Sequence, residues 1–153
     1  MNFAQNARRL IGERRAGVLA TISQRHPGWP YPAMMPYALD AQGRPVFLIS
    51  TLAAHTQDLL SDPRASLQVS GELVEENPAQ TPRVALMGTV TVVPPAERQA
   101  VRTAYIRQLP ESELWADFGD FEFYRLEPMD IHYVGGFAAA AWIPPADYFS
   151  ALG

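Results

Sequence analysis

A succession of short strand-like runs, separated by tight polar turns, constrains this chain more than any other feature. Gly17–Ser23 (GVLATIS), Tyr31–Leu39 and Val46–Ser50 come first, with turns at His26-Pro27-Gly28 and Asp40-Ala41-Gln42-Gly43. Arg64–Ser70 alternates, with Ala65, Leu67 and Val69 on one side and Ser66, Gln68 and Ser70 on the other, the pattern of a half-buried strand. Arg83–Val93 is a longer strand in which Gly88 marks a bulge, because glycine inside a strand signals an irregular ladder. Phe121–Val134 is strand-like and broken near Pro128, and Gly135-Gly136 turns the chain into Phe137–Ile143. Five or six strands with a helical insertion before the last ones predict an antiparallel barrel, not a parallel α/β sheet. The fold class expected is mainly β: a β-barrel with α insertions.

Three helices and a further short one accompany the strands. Asn2–Arg15 repeats Phe3, Ala7, Leu10 and Ile11 at helical spacing, with Asn2 as its cap and Arg8, Arg9, Arg14 and Arg15 on a solvated side. Pro94-Pro95 opens Ala96–Leu109, with Ala100, Val101, Ala104, Tyr105 and Leu109 on one face. A short helix covers Glu111–Ala116, and Glu75–Thr81 is a polar loop. A third helix, Ala53–Leu60, carries Leu52, Thr56, Leu59 and Leu60 along one side and ends at Asp62-Pro63, where the proline ring stops it.

That third helix follows the apolar strand Val46–Ile49 directly, after the two hydroxyls of Ser50 and Thr51. Free backbone N–H groups and the positive dipole end make such a junction an anion site. Ser50, Thr51, His55 and Thr56 are the residues there that hydrogen-bond phosphate, and His55, with an ordinary pKa of ~6.5, strengthens the bond when protonated. An N-cap and a surface histidine are the ordinary readings of the same residues.

Composition narrows the chemistry. The chain has 153 residues and no cysteine, which removes thiol catalysis, Cys-built zinc sites and iron–sulfur clusters. All 12 Lys+Arg positions are arginine, so a lysine Schiff base and a Walker-type loop are both excluded. His26, His55 and His132 lie on separate elements and share no metal-ligand spacing. No G-x-S-x-G elbow and no G-x-G-x-x-G is present. A net charge of −4 argues against a nucleic-acid partner. No apolar run approaches the length of a membrane span and no signal peptide is visible, so one cytoplasmic domain over residues 1–153 is expected. Aromatics crowd the last third, from Trp115 to Trp142. There Gly135-Gly136-Phe137 allows close backbone approach to another chain or a flat ligand.

With these residues in view, the chain resembles the pyridoxamine 5′-phosphate oxidase-like, FMN-binding split-barrel family, nearest its bacterial heme-utilisation branch. The matching pieces are GVLATIS, PYPAMMPYALD, FLISTLAAHTQDLLSDPRASL, ALMGTVTVV, FGDFEFYRLEP and VGGF, in shared order. The resemblance implies a six-stranded Greek-key barrel and a homodimer with FMN at the subunit interface. It implies that Met34, Met35 and Pro36 lie along the flavin ring, with Ile49 at the end of the neighbouring strand. Ser50, Thr51, His55 and Thr56 match the phosphate positions, and Phe137 or Trp142 comes from the partner subunit. The oxidases proper carry an Arg-Lys pair where this chain has His55-Thr56, which leaves less fixed positive charge here. The function implied is an FMN-dependent oxidoreductase acting on an unidentified small substrate. The alternative is the same barrel binding heme or another flat ligand without flavin turnover. Tyr37, Gln68 and Arg125 lie on strands that reach the cavity.

Overall fold

The computed structural model describes residues 2–151. Its elements in order are α1 (Phe3–Glu13), β1 (Ala16–Ile22), β2 (Pro30–Pro36), β3 (Ala38–Leu39), β4 (Pro45–Ser50), α2 (Ala54–Ser61), β5 (Arg64–Ser70), β6 (Arg83–Val92), α3 (Arg98–Gln108), β7 (Phe121–Val134), β8 (Ala140–Ile143) and α4 (Pro145–Ser150). All strand pairs are antiparallel, in the order β2-β1-β5-β6-β7-β4-β3, with β8 added to β7. The fold is the mainly β antiparallel barrel that the strand pattern predicts and the split barrel that the resemblance implies, with eight strands in place of the expected six because the second run is divided and a short strand follows β7.

The split has a specific cause. β2 and β3 are two halves of one run, and they stand at opposite ends of the strand order, β2 on β1 and β3 on β4. Tyr37 makes the corner between them. It is fully buried, its hydroxyl donates to the Ile11 carbonyl at 2.6 Å, and its N–H donates to the Arg15 carbonyl at 3.0 Å. The single strand expected over Tyr31–Leu39 is therefore bent in two. Tyr37 belongs to the core and not to a ligand cavity, and burial pushes its phenol pKa well above the ordinary range.

Alternation sets the core. Leu19, Leu67, Val69, Val84, Leu86, Phe47, Ile49, Leu126 and Ile131 point into the barrel, which α1 closes with Ala7, Leu10 and Ile11. A second cluster forms outside the barrel wall, where Val46 and Leu48 on the other side of β4 meet Val101 and Tyr105 of α3 and Phe123 of β7. The insertion before β7 is thus packed against β4.

Local details match their residue types. Asn2 caps α1, its Oδ1 accepting from Gln5 N at 3.0 Å. The ladder between β6 and β7 shifts register at Met87/Gly88, and a Cβ on Gly88 would run into the Glu127 carbonyl. Gly135-Gly136 serve the β7–β8 turn. Gly136 has φ +123 and Gly135 N–H donates to the Ala139 carbonyl at 2.7 Å. The expected 111–116 helix is a 3₁₀ turn over Pro110–Leu114.

Two expectations are corrected. Leu52 and Leu60 are exposed, and the buried side of α2 is Thr56, Asp58 and Leu59. Asp58 anchors this helix to β1, accepting from Thr21 Oγ1 and Gln24 N, each at 2.8 Å. Arg8 is not part of a solvated face. Its guanidinium donates to the Tyr148 carbonyl at 3.1 Å and lies 5.0 Å from the Tyr148 ring centroid. That contact docks α4, a helix absent from the sequence expectations although Pro145 at its first turn is a helix-start signal. No helix among the described residues is long and apolar enough to cross a membrane.

Candidate functional site

The ten residues proposed from sequence separate by strand parity and burial. Met34 is 74% exposed and Pro36 is exposed on the same side of β2, whereas Met35 between them is 2% exposed and sits in the barrel core. Ile49 likewise points into the core, while Leu48 and Ser50 face outward from β4. Met35 and Ile49 are therefore packing residues, because successive strand residues face opposite ways. Phe137 and Trp142 are exposed, but they stand by the Val134 end of β7, whereas Ser50 pairs with Phe121 at the other end. Within one chain these two groups belong to opposite ends of one long strand.

Pro36 and Leu48 line a cavity of about 580 Å³ under the insertion. Tyr105, Gln108, Leu109, Pro110, Ser112 and Trp115 complete most of its wall. The lining is mostly apolar, with one indole, one buried phenol and one carboxylate, Glu111, and its size lies within the range of small-molecule sites. Burial pushes the Tyr105 phenol up to about 12. Tyr105 and Leu109 were readable as one face of the predicted helix, but nothing in the sequence brings that face against Leu48.

Ser50 is two residues beyond Leu48 on the same side of β4. Its hydroxyl donates to Asp120 Oδ2 at 2.8 Å and accepts from Leu52 N at 3.1 Å. Thr51 is exposed and its N–H donates to the Asp120 carbonyl at 2.8 Å. Thr56 is 0% exposed, and its Oγ1 has no partner. His55 is half-buried with Nε2 shut off from solvent and also without a partner. Desolvation lowers the His55 pKa from 6.5, and the nearby Asp58 carboxylate opposes this only in part. The imidazole is thus neutral near pH 7, and the expected cationic bond to a phosphate is not available there.

FMN therefore has a poor seat in this conformation. Of the four proposed phosphate residues, Ser50 is engaged by a carboxylate and Thr56 is sealed inside. No arginine hydrogen-bonds Ser50, Thr51, His55 or Asp120 among the described residues. Arg125 is held by Glu97 at 2.9 and 3.2 Å, and Gln68 lies on the outer sheet face, so neither reaches the cavity. No group of three or more potential metal ligands occurs among the described residues.

His55 gives a testable pH dependence. A depressed imidazole pKa means the unfolded chain binds the proton more readily, so stability is full above pH 6.5 and falls as pH drops below it. The expected result is that His55→Gln loses less stability than the parent between about pH 7.5 and 5.5. Urea midpoints at the two pH values measure it, and equal losses in both proteins would contradict the assignment.

Fold and site together define a split-barrel protein with an apolar groove instead of a charged phosphate cradle. The chain belongs to the family described as CREG, beta-barrel, which it matches over residues 1–150. It is 37% identical over 136 residues to the chloroplastic "Non-canonical heme oxygenase HOZ" of Arabidopsis thaliana, a match covering 89% of this chain and 41% of that protein. The chain thus spans less than half the length of this relative. Among solved structures, the heme binding protein from Mycobacterium smegmatis superposes with a TM-score of 0.90 at 28% identity, over 99% of this chain and 61% of that one. A protein of the pyridoxinephosphate oxidase family from Clostridium acetobutylicum shares the fold, with a TM-score of 0.72 at 12% identity over 95% of this chain and 96% of that one.

Proposed function

We propose that this chain is a flat-ligand-binding barrel that takes a tetrapyrrole ring of the heme class in the cavity under α3, without flavin turnover. The observation that carries this reading is the lining of that cavity: Pro36, Leu48, Tyr105, Leu109, Pro110 and Trp115 offer apolar and aromatic surface to a ring and no cation to a phosphate. The relatives named for heme handling support the same ligand class. The flavin oxidoreductase reading rests on the shared fold, and the groove gives it no phosphate site. Heme would supply iron and a large conjugated ring, and this chain's residues would bind and orient the ring and keep water from its apolar faces.

The lining contains no histidine, methionine or cysteine, the Tyr105 phenol stays protonated at neutral pH, and Glu111 is its one carboxylate, so iron has no nitrogen, sulfur or phenolate axial ligand within it. Metal-free protoporphyrin IX is therefore expected to bind within about threefold of hemin, a difference below ~1 kcal/mol. Parallel titrations measure this. A hundredfold preference for hemin would show that iron ligation, and not this cavity, dominates binding.

The partner we propose is a second copy of the chain. Across the outer sheet face runs one paired row, Met34, Val18, Gln68, Ala85, His132 and Trp142, with no aspartate, glutamate or arginine in it. His132 stacks on Trp142 with ring centroids 4.5 Å apart. An uncharged row six strands wide suits a self-complementary twofold contact, and Pro36 at the cavity edge lies on the same side of β2 as Met34. Sedimentation is expected to give twice 16.9 kDa, and Val18→Arg, at a half-exposed position, is expected to give the monomer with an unchanged circular-dichroism spectrum. A parent protein that is monomeric at micromolar concentration would contradict the pairing.

A further inference from the structure

We propose that Asp120 is a built-in occupant of the anion cradle between β4 and α2, which makes the groove reject phosphorylated flat ligands and admit unphosphorylated ones. This deepens the reading above and rests on the groove being the ligand site.

The cradle has the parts an anion needs. Ser50 presents a hydroxyl, and α2 begins at Ala54 behind an N-cap residue, Ala53, that supplies no side-chain cap, so its first amides and the positive dipole end are open. The cradle also has its own anion. The Asp120 carboxylate takes the Ser50 hydroxyl proton donor at 2.8 Å, and the Asp120 carbonyl is fixed by Thr51 N–H at 2.8 Å. Residue 120 is thus held through both backbone and side chain. The turn that carries it is held as well, by Phe121 N–H to the Phe118 carbonyl at 3.0 Å.

No cation among the described residues offsets this charge. The neighbouring arginines are committed elsewhere, Arg98 to Glu122 at 3.0 Å and Arg102 to Asp117 at 2.6 Å. Nor do the other side chains of the cradle offer a donor to a second anion. Thr56 is 0% exposed with its Oγ1 unpartnered and shut off from solvent, and His55 Nε2 is equally enclosed. A phosphate entering here meets a half-buried carboxylate on the hydroxyl it requires, and like charges at such distance are strongly unfavourable. A ligand whose end near Ser50 is neutral meets no such barrier.

The test compares the parent with Asp120→Asn, which keeps an oxygen for the Ser50 hydroxyl and removes the charge. Flavin fluorescence reads riboflavin and FMN binding. The parent is expected to bind riboflavin at least as tightly as FMN, and Asp120→Asn to tighten FMN by about tenfold while riboflavin stays within about twofold. Inorganic phosphate is the second probe and needs no ring site. It is expected to raise the melting temperature of Asp120→Asn and not that of the parent. Asp120→Ala serves the same comparison if the asparagine variant misfolds. FMN preferred over riboflavin by the parent, or phosphate acting equally on parent and variants, overturns the proposal. Hemin binding is measured beside these. Its absence would count against the tetrapyrrole reading alone, because the phosphate comparison stands without it.

Discussion

Trp115→Ala is expected to weaken tetrapyrrole binding by roughly thirtyfold, from the loss of about 2 kcal/mol of buried aromatic contact. Trp115 is only partly buried in the free protein, where it packs beside the outer cluster of Leu48, Tyr105 and Phe123 while lining the cavity. Its ring is therefore available to a ligand without being the keystone of the fold. Truncation removes one wall of a site that recognises its ligand by surface, not by charge. Hemin and protoporphyrin IX should lose affinity to the same extent. The variant should keep the parent's circular-dichroism spectrum. An affinity change below threefold for both would place the ring somewhere other than this cavity.

Gly88→Val is expected to destabilise the protein by about 3 kcal/mol, at the upper end of what overpacking a fitted site costs. The bulge at Met87/Gly88 brings the backbone of β6 onto that of β7, and a Cβ at 88 would meet the Glu127 carbonyl and, at 3.1 Å, the Pro128 Cα. Those atoms are main chain, so relief requires the two strands to separate. The same long β7 pairs with β4 at one end and β8 at the other, so the distortion reaches the cavity wall. Gly119→Ala is the control, since nothing lies within 4 Å of a Cβ there, and its effect should stay within about 0.5 kcal/mol. Urea unfolding of the three proteins measures both statements. Equal stability of Gly88→Val and the parent would mean that the bulge is not the close approach described.

The parts of this structure that follow from nearest-neighbour rules were legible in the sequence. Alternation placed β5, a glycine inside an otherwise regular strand marked the bulge, and Asn2 ahead of an apolar repeat marked the start of α1. What was not legible depends on residues distant along the chain. Nothing local says that Tyr37 will reach the Ile11 carbonyl and bend one strand into two. Adjacency in sequence puts Met34-Met35 and Ile49-Ser50 side by side, although alternation alone sends one member of each pair into the core. Ser50 and Thr51 looked like open phosphate donors because their carboxylate partner is 70 positions away, at Asp120. The cavity is hidden for the same reason, since it joins β2, β4 and the insertion after α3, none of them adjacent in sequence.

The central claim is that the groove binds an unphosphorylated tetrapyrrole and not FMN. Quenching of tryptophan fluorescence, with hemin, protoporphyrin IX and FMN each titrated into the purified protein, tests it most directly. The account predicts saturable quenching at one tetrapyrrole per chain, lost largely in Trp115→Ala, with FMN binding far more weakly than either tetrapyrrole. Saturable one-to-one binding of FMN, with neither tetrapyrrole bound, would contradict it.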